Sequence, residues 1–180
     1  MEFAFRTTVN IYKLPEPAIL KDVPDMEISE DAILKIEVMY PDRPYDCEAL
    51  AVDPATGDLL LFTKDREEAI SEVFKVPNGS PLPGEVQVLE HIGTLDLYWV
   101  TGGDISPAGD ILALTNKEEA WSFSLPAGQT WVEYLSSSPV PCTLELEEEE
   151  QREAIAVTDT GYWTTSECED GCPLWYYARK

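Results

Sequence analysis

The chain has 180 residues, with 12 Lys and Arg against 35 Asp and Glu, so its formal net charge at pH 7 is −23. A field of this sign repels phosphate backbones and anionic lipid head groups, which argues against nucleic-acid binding and against docking on anionic membranes. No apolar run approaches the roughly 18–20 residues that a membrane-spanning helix requires. Residues 1–6 contain no long apolar stretch and no small-residue cleavage site, so the sequence predicts no signal peptide in this chain.

Two candidate strands open the chain. Residues 7–14 are rich in strand formers, and Pro15 and Pro17 end the strand because proline cannot donate to a β-ladder. Residues 18–30 form an acidic connector that contains proline. Residues 32–40 largely alternate apolar and polar side chains, as a half-buried strand does. We interpret this pair as the third and fourth strands of a blade.

A strand–turn–strand pattern then recurs three times. Its copies begin at Glu48, Thr101 and Glu153, which are 53 and 52 residues apart. A constant period in this range is typical of propellers and solenoids built from four-stranded units. In the first copy, strands at about 48–53 and 58–63 flank a tight polar turn. The innermost strands of the first and third copies, at 49–52 and 154–157, are nearly continuously apolar, which predicts burial on both faces, as between stacked blades.

The remaining strands complete these units. They are predicted at about 71–76 and 85–92 in the first unit, at 102–106, 110–115, 119–125 and 142–147 in the second, and at 153–158, 161–166 and 174–178 in the third. The sequence therefore predicts an all-β fold of four-stranded antiparallel propeller blades within one partial domain, 1–180. The units are a half blade (7–40), two full blades (46–95 and 98–148) and an incomplete blade (151–180), about three and a quarter blades.

An open run of blades leaves exposed sheet faces and unpaired edges, which favour association. Propellers of roughly 4–8 blades instead close into a ring. We therefore expect either that further N-terminal blades complete the ring, or that a second copy or another protein chain does so. The expected partners are proteins, with no nucleic acid and no membrane insertion.

Several segments form an ordered series along nearly the whole chain. They are 9–17 (VNIYKLPEP), 40–42 (YPD), 46–50 (DCEAL), 63–64 (TK), 100–107 (VTGGDISP), 153–156 (EAIA) and 164–167 (TTSE). This series resembles a family of uncharacterised secreted or lipoprotein-like β-propellers. The resemblance implies that the chain corresponds to the C-terminal part of such a propeller and that it is extracellular. It implies no particular activity, because the family has no established general one.

The chain departs from that family at its cysteines. The family usually has a small residue in place of Cys47 and lacks the pair Cys168 and Cys172. More distantly, the starts of the repeats at Glu48 and Glu153 resemble those of phytase-like and lactonase-like propellers. In those proteins, carboxylates at the starts of inner strands face a central channel that sometimes binds calcium.

Five carboxylates are expected near one mouth of such a channel. They are Asp46, Glu48, Asp104, Glu153 and Glu167. A set of oxygen ligands alone suits Ca²⁺, and paired carboxylates also serve as acid and base in hydrolases. A structural role stays open beside these two. In that case the carboxylates accept backbone N–H groups and fix the spacing of the blades. The acidic run 147–150 is expected to be a solvated loop.

Four cysteines, Cys47, Cys142, Cys168 and Cys172, allow three complete pairings. The last two flank a short turn, which predicts a disulfide and fits an oxidising compartment, with free thiols as the alternative. Zinc would need further ligands, and the single histidine, His91, is distant in the sequence.

The sequence contains no convincing catalytic constellation, because a Ser-His-Asp triad would depend wholly on His91. Its five tryptophans either fill the space between blades or line a groove for carbohydrate or peptide. They are Trp99, Trp121, Trp131, Trp163 and Trp175. The sequence favours a non-catalytic, calcium-stabilised binding or assembly module that is extracellular. The alternative is a metal-dependent, phytase-like or lactonase-like hydrolase that uses the carboxylates at the channel mouth and a metal-bound water.

Overall fold

A computed structural model describes residues 8–16, 27–65, 67–79, 84–147, 149, 151–168 and 171–179 of the chain. Within these residues the chain forms fourteen β-strands and one short α-helix. Of the predicted connector, residues 18–26 lie outside the described residues, as does Thr7. The end of the connector contains a single 3-10 turn, Glu30–Ala32. None of the described helices is long and apolar enough to cross a membrane.

The strands form four sheets. The first sheet contains β1 (Thr8–Lys13), β2 (Leu34–Met39) and β6 (Val86–Val88). The second contains β3 (Cys47–Val52), β4 (Leu59–Thr63), β5 (Ser71–Val76) and β7 (Glu90–Leu95). The third contains β8 (Gly102–Ile105), β9 (Ile111–Thr115), β10 (Ala120–Ser124) and β11 (Cys142–Thr143). The fourth contains β12 (Arg152–Val157), β13 (Gly161–Ser166) and β14 (Leu174–Ala178).

All strand pairs are antiparallel except β2 and β6, which are parallel. Strands β3, β8 and β12 each lie at one edge of their sheet, and the chain proceeds outward from them strand by strand. The predicted all-β fold of blade-like sheets is therefore confirmed.

Three cores separate the four sheets. The first core lies between the first and second sheets and includes Val38 and Phe74. The second core lies between the second and third sheets and is built around Phe62 and Phe123. The third core lies between the third and fourth sheets and includes Tyr162. Each fully buried Phe, Leu or Val side chain contributes about 1.5–3 kcal/mol to folding, so these cores hold the sheets against one another.

The structure corrects the predicted strand 85–92, which is two strands. Leu89 lies between β6 and β7, is 2% exposed in the first core, and donates its amide to the Met39 carbonyl oxygen at 2.8 Å. The chain therefore crosses from the first sheet to the second at Leu89. The predicted strand 142–147 is also shorter, since β11 ends at Thr143 and the next amide, of Leu144, donates to Ala120.

Helix α1 (Trp131–Leu135) was not predicted from the strand pattern. Thr130 begins it with a capping box, in which its hydroxyl accepts from the Glu133 amide and the Glu133 carboxylate accepts from the Thr130 amide. Trp131 and Leu135 are buried in the second core, so the helix covers the edge of that core.

The prediction that β3 and β12 are buried on both faces is wrong. In β12, Ile155 and Val157 are buried whereas Ala154 and Ala156 are exposed. In β3, Ala49 and Ala51 are 2% and 1% exposed in the second core, whereas Leu50 and Val52 on the opposite face are 38% and 46% exposed. The strands of the first sheet pack over β4 and β5 and leave this face of β3 only partly covered by described residues, with a cleft between Leu50 and the pair Val9 and Ile11.

The inner strands approach one another very closely at Gly102. A Cβ atom on Gly102 would lie 2.9 Å from the Glu153 carbonyl oxygen and 3.0 Å from Ala154 Cα. Only glycine allows β8 and β12 to come this near. The glycine therefore explains how the starts of the inner strands gather at one end of the molecule.

Candidate functional site

The start of β3 carries a tight ion pair. In the β3–β4 hairpin Cys47 lies opposite Thr63, and Glu48 occupies the register shift that follows. The Lys64 Nζ and Glu48 Oε2 atoms are 2.6 Å apart. The Lys64 side chain is only 9% exposed, and its backbone amide donates to the Asp46 carbonyl oxygen at 2.7 Å. Lys64 thus neutralises Glu48, one of the carboxylates predicted to bind a cation.

A second lysine joins the third and fourth sheets. Lys117, in the turn between β9 and β10, lies 2.9 Å from Glu153 and 3.9 Å from Glu167, and it donates to the Gln151 side chain at 2.9 Å. The hydrogen bond to Glu153, followed by the charges of Glu153, Glu167 and Glu48, raises the pKa of Lys117. The ammonium group therefore occupies the space in which a cation shared by Glu153 and Glu167 would bind.

Asp104 is engaged elsewhere. Its Oδ2 atom accepts the Val157 amide of the neighbouring sheet at 2.7 Å. Val157 is four residues beyond Glu153, about 13 Å along an extended strand, so Asp104 does not join the carboxylates at the strand starts. Burial raises the pKa of Asp104, against the opposing effect of the Val157 hydrogen bond. This contact matches the structural alternative, in which a carboxylate accepts a backbone N–H of the next blade.

The structure thus brings together only part of the predicted metal set. Glu153 and Glu167 share Lys117. Glu48 pairs with Lys64 and also acts on Lys117 through its charge, and Asp104 is separate. Among the described residues, no group of three or more His, Cys, Asp or Glu side chains is arranged to hold a metal ion. The arrangement links adjacent sheets by ion pairs and hydrogen bonds, and the calcium site stays a prediction.

A buried charge network is centred on Glu149 and Arg152, and it was not predicted from the sequence. Glu149 belongs to the acidic run that was expected to be solvated, yet its carboxylate is buried and pairs with buried Arg152 at 3.2 Å. The same carboxylate accepts hydrogen bonds from the hydroxyl groups of Thr164 and Tyr177 at 2.5 and 2.7 Å. A signal was present in the sequence, because Arg152 is a lone base inside a dense acidic stretch.

The cysteines divide into three kinds. Cys168 and Cys172 form a disulfide, whereas Cys47 and Cys142 are free thiols. Burial raises the pKa of Cys47 to about 11, so this thiol is protonated and unreactive at neutral pH. Cys142 is exposed on the short edge strand β11.

The single histidine has a structural environment. His91 Nε2 lies 2.6 Å from Glu72 Oε2, and the same carboxylate oxygen accepts the Thr94 hydroxyl at 2.7 Å. The imidazole ring also packs edge-on against Phe74 at 5.3 Å between centroids. These contacts join β5 to β7 across the outer half of the second sheet.

Two of the five tryptophans fill the space between sheets, and the groove for carbohydrate or peptide stays a prediction. Trp121 and Trp131 are 4% and 1% exposed and fill the second core between sheets. Trp163 and Trp175 are each 37% exposed on the fourth sheet, and Trp99 is 47% exposed on the loop before β8. Three large aromatic surfaces therefore remain open to solvent.

No protein-family model matches the chain, and no curated protein sequence is significantly similar to it. The resemblance to secreted or lipoprotein-like propellers therefore stays a prediction, and the site has to be interpreted from its own geometry.

Proposed function

We propose that this protein is a non-catalytic binding and assembly module whose copies associate head to tail. The observation that carries the proposal is an uncovered apolar surface at the end of the stack of sheets. This surface, the terminal face, consists of Ala154, Ala156, Trp163, Leu174 and Tyr176. These residues lie in register across β12, β13 and β14, and all five are exposed.

The terminal face is preorganised and uncharged. The rings of Trp163 and Tyr176 contact each other at 4.8 Å between centroids, and Leu174 is 65% exposed beside them. Thr165, between Ala154 and Leu174 in the register, adds no charge either. An uncharged, aromatic surface on a chain of net charge −23 is typical of a protein–protein contact.

The second sheet also has apolar residues on both faces, and there both faces pack against a neighbouring sheet. Its Leu60 and Phe62 pack into the second core, and its Leu61 and Phe74 pack into the first core. The terminal sheet has apolar residues on both faces as well, but only the face with Tyr162 is covered, by the third core. Its other face has the composition of a contact between sheets and lacks a described neighbour.

A second copy offers a matching surface. Where the first sheet leaves the second sheet partly open, Leu50 and Val52 of β3 are exposed, and Leu50 borders a cleft of about 190 Å³ together with Val9 and Ile11. We call the surface formed by Val9, Ile11, Leu50 and Val52 the notch. Because each chain carries one terminal face and one notch, head-to-tail packing covers both, and such heterologous contacts build rings or open chains.

Light scattering after size exclusion, over a concentration series, tests the proposal. We expect the wild-type protein to associate, and we expect Trp163→Lys on the terminal face and Val52→Lys in the notch each to dissociate it. Val140→Lys is the matched control, since Val140 is 89% exposed in a loop away from both surfaces.

Mixing the two dissociated variants gives the decisive result. Trp163→Lys retains an intact notch and Val52→Lys an intact terminal face, so an equimolar mixture should form a dimer with one intact contact. A wild-type protein that stays monomeric, or a mixture that does not dimerise, would overturn the proposal.

A further inference from the structure

A small aromatic cavity lies between the loop before β8 and the turn between β9 and β10, and it shares no lining residue with the terminal face or the notch. It is lined by Tyr98, Trp99, Asn116, Lys117 and Glu118 and has a volume of about 250 Å³. Pockets for drug-sized ligands run from about 300 to 1,000 Å³, so this cavity suits a single side chain.

Trp99 has an unusual backbone conformation. Its φ angle is +57°, in the left-handed region that a bulky residue rarely adopts. Of the eight other positive-φ positions in the described chain, six are glycines, which adopt this conformation without a steric penalty, and two are the small or unbranched residues Ser138 and Gln151. Strain of this kind persists only where the surroundings impose it, and it concentrates at functional sites.

The neighbours of Trp99 impose the strain. Val100 is fully buried in the second core, and Tyr98 packs against the same core with its ring edge-on to Trp121 at 6.1 Å. The Asn116 side chain donates to the Tyr98 carbonyl oxygen at 3.1 Å. With both flanking residues anchored, the left-handed conformation places a rigid indole at the surface, where it is 47% exposed.

Asn116 also fixes the opposite wall of the cavity. Its side-chain oxygen accepts the amides of Glu118 and Glu119 at 2.8 and 2.6 Å, and Asn116 itself is 1% exposed. One buried amide side chain therefore holds both the aromatic wall and the wall that carries Lys117 and Glu118. A cavity held in this way loses little freedom when it is filled.

The charges around the cavity favour a cation. Lys117 is already bound by Glu153 at 2.9 Å and faces Glu167 at 3.9 Å, so its ammonium group is compensated. Glu118 also lines the cavity and is exposed, so three carboxylates and one lysine lie at or beside the cavity. A cation over an indole face gains from the ring quadrupole, and the field of a chain with net charge −23 adds to this attraction.

We infer that the Trp99 cavity binds the guanidinium group of an arginine side chain presented by a basic peptide segment. Arginine fits better than lysine, because its planar guanidinium stacks on an aromatic face while its N–H groups reach a carboxylate such as Glu118. This site is independent of the proposed assembly, since it uses neither the terminal face nor the notch.

Calorimetric titration at physiological ionic strength tests this inference with two peptides, an acetylated and amidated tetra-arginine and its neutral tetra-citrulline counterpart. We expect the wild-type protein to bind the first and not the second. Trp99→Asn should weaken binding by roughly twofold to thirtyfold, the range that a cation–π contact supports. Asparagine tolerates a positive φ, so this variant removes the ring without changing the charge or the backbone. Glu118→Gln should weaken binding as well.

Tyr12→Asn is the control, because it removes a tyrosine that is 58% exposed on β1, outside the cavity. It should leave the affinity unchanged. Equal affinity for both peptides, equal affinity of the wild type and Trp99→Asn, or the absence of any peptide binding would overturn the inference. So would tighter binding of a neutral cello-oligosaccharide, which would assign the indole to sugar stacking. Circular dichroism of Trp99→Asn verifies that the variant is folded, and its oligomeric state should equal that of the wild type.

Discussion

Removing the charge of Glu149 should destabilise the protein more than changing any exposed acid in the same run. Glu149 accepts hydrogen bonds from Arg152, Thr164 and Tyr177, with Ser166 at 3.4 Å from its second oxygen. Burial and the hydrogen bond to Glu149 raise the pKa of Tyr177 to about 12, so this phenol stays a donor at neutral pH. The carboxylate is thus the common acceptor that holds β13, β14 and the residue that begins β12.

The magnitude follows from what Glu149→Gln leaves behind. The Arg152 side chain is 1% exposed, its Nη1 atom is buried without a hydrogen-bond partner among the described residues, and its Nη2 atom donates to the Glu147 carbonyl oxygen at 2.9 Å. Without the carboxylate, a buried guanidinium loses its counter-charge, which costs about 3–5 kcal/mol in comparable buried pairs. Glutamine keeps the shape and one acceptor oxygen, so the lower end of this range is expected.

Urea unfolding at pH 7, followed by circular dichroism and fluorescence, measures this cost. Glu147→Gln is the matched control, because its side chain is exposed and only its backbone contacts Arg152. We expect that control to stay within about 0.5 kcal/mol of the wild type. Combining Glu149→Gln with Arg152→Met should cost less than the two single changes together, since the pair is removed as a unit. A loss below about 1 kcal/mol for Glu149→Gln would refute the role of the pair.

Three further changes test other contacts between and within the sheets. Burial raises the pKa of Asp104, so its contribution to folding is largest at low pH and is lost as the pH rises above about 3.9. Asp104→Asn, which can still accept the Val157 amide, should therefore gain stability relative to the wild type between acid and neutral pH, and parallel melting curves would contradict this. Gly102→Ala would place a Cβ atom 2.9 Å from the carbonyl oxygen of the next sheet, so urea unfolding should show a loss of about 1–3 kcal/mol; an unchanged midpoint would exclude so close an approach. Replacing Cys168 and Cys172 by serine opens a very short loop, for which the chain-entropy relation gives about 2 kcal/mol at most, and a much larger loss on melting would show that the disulfide holds more than its own loop.

The repeat beginning at Glu48, Thr101 and Glu153 identified the inner strands because its information is local. An apolar strand, a polar turn and a second apolar strand specify a hairpin within about sixteen residues. The period of the repeat then placed these hairpins in successive sheets. The opening pair β1 and β2 and the three strands of the last sheet followed from counting strands, whereas the first sheet also includes β6, which the sequence had placed in the next unit.

Contacts that depend on packing could not be predicted in the same way. Leu89 interrupts a strand because its side chain has to enter the first core, and the local pattern of 85–92 contains no break. Glu149 looked solvated because its neighbours are acids, whereas its burial depends on Arg152, Thr164 and Tyr177 in the folded sheet.

The lysine partners of the carboxylates in the predicted cation site could not be predicted for a related reason. Composition showed many carboxylates, but it did not show which lysines would reach them. Lys64 follows β4 and Lys117 follows β9, and each reaches a glutamate at the start of an inner strand. Only the register of the hairpins and the spacing of the sheets decide this pairing, so the positions were predictable while the partners were not.

Ionic strength separates the two proposed interactions. Two copies of net charge −23 repel each other over long range, while their terminal face and notch are largely uncharged. Salt screens the repulsion within a Debye length of about 10 Å at 0.1 M and leaves the apolar contact intact, so head-to-tail association should strengthen as salt is added. Binding of a basic peptide at Trp99 should weaken under the same change, because there the long-range field is attractive. If both interactions respond to salt in the same direction, at least one of the two surfaces has been misassigned, and the variants at Trp163 and Trp99 identify which.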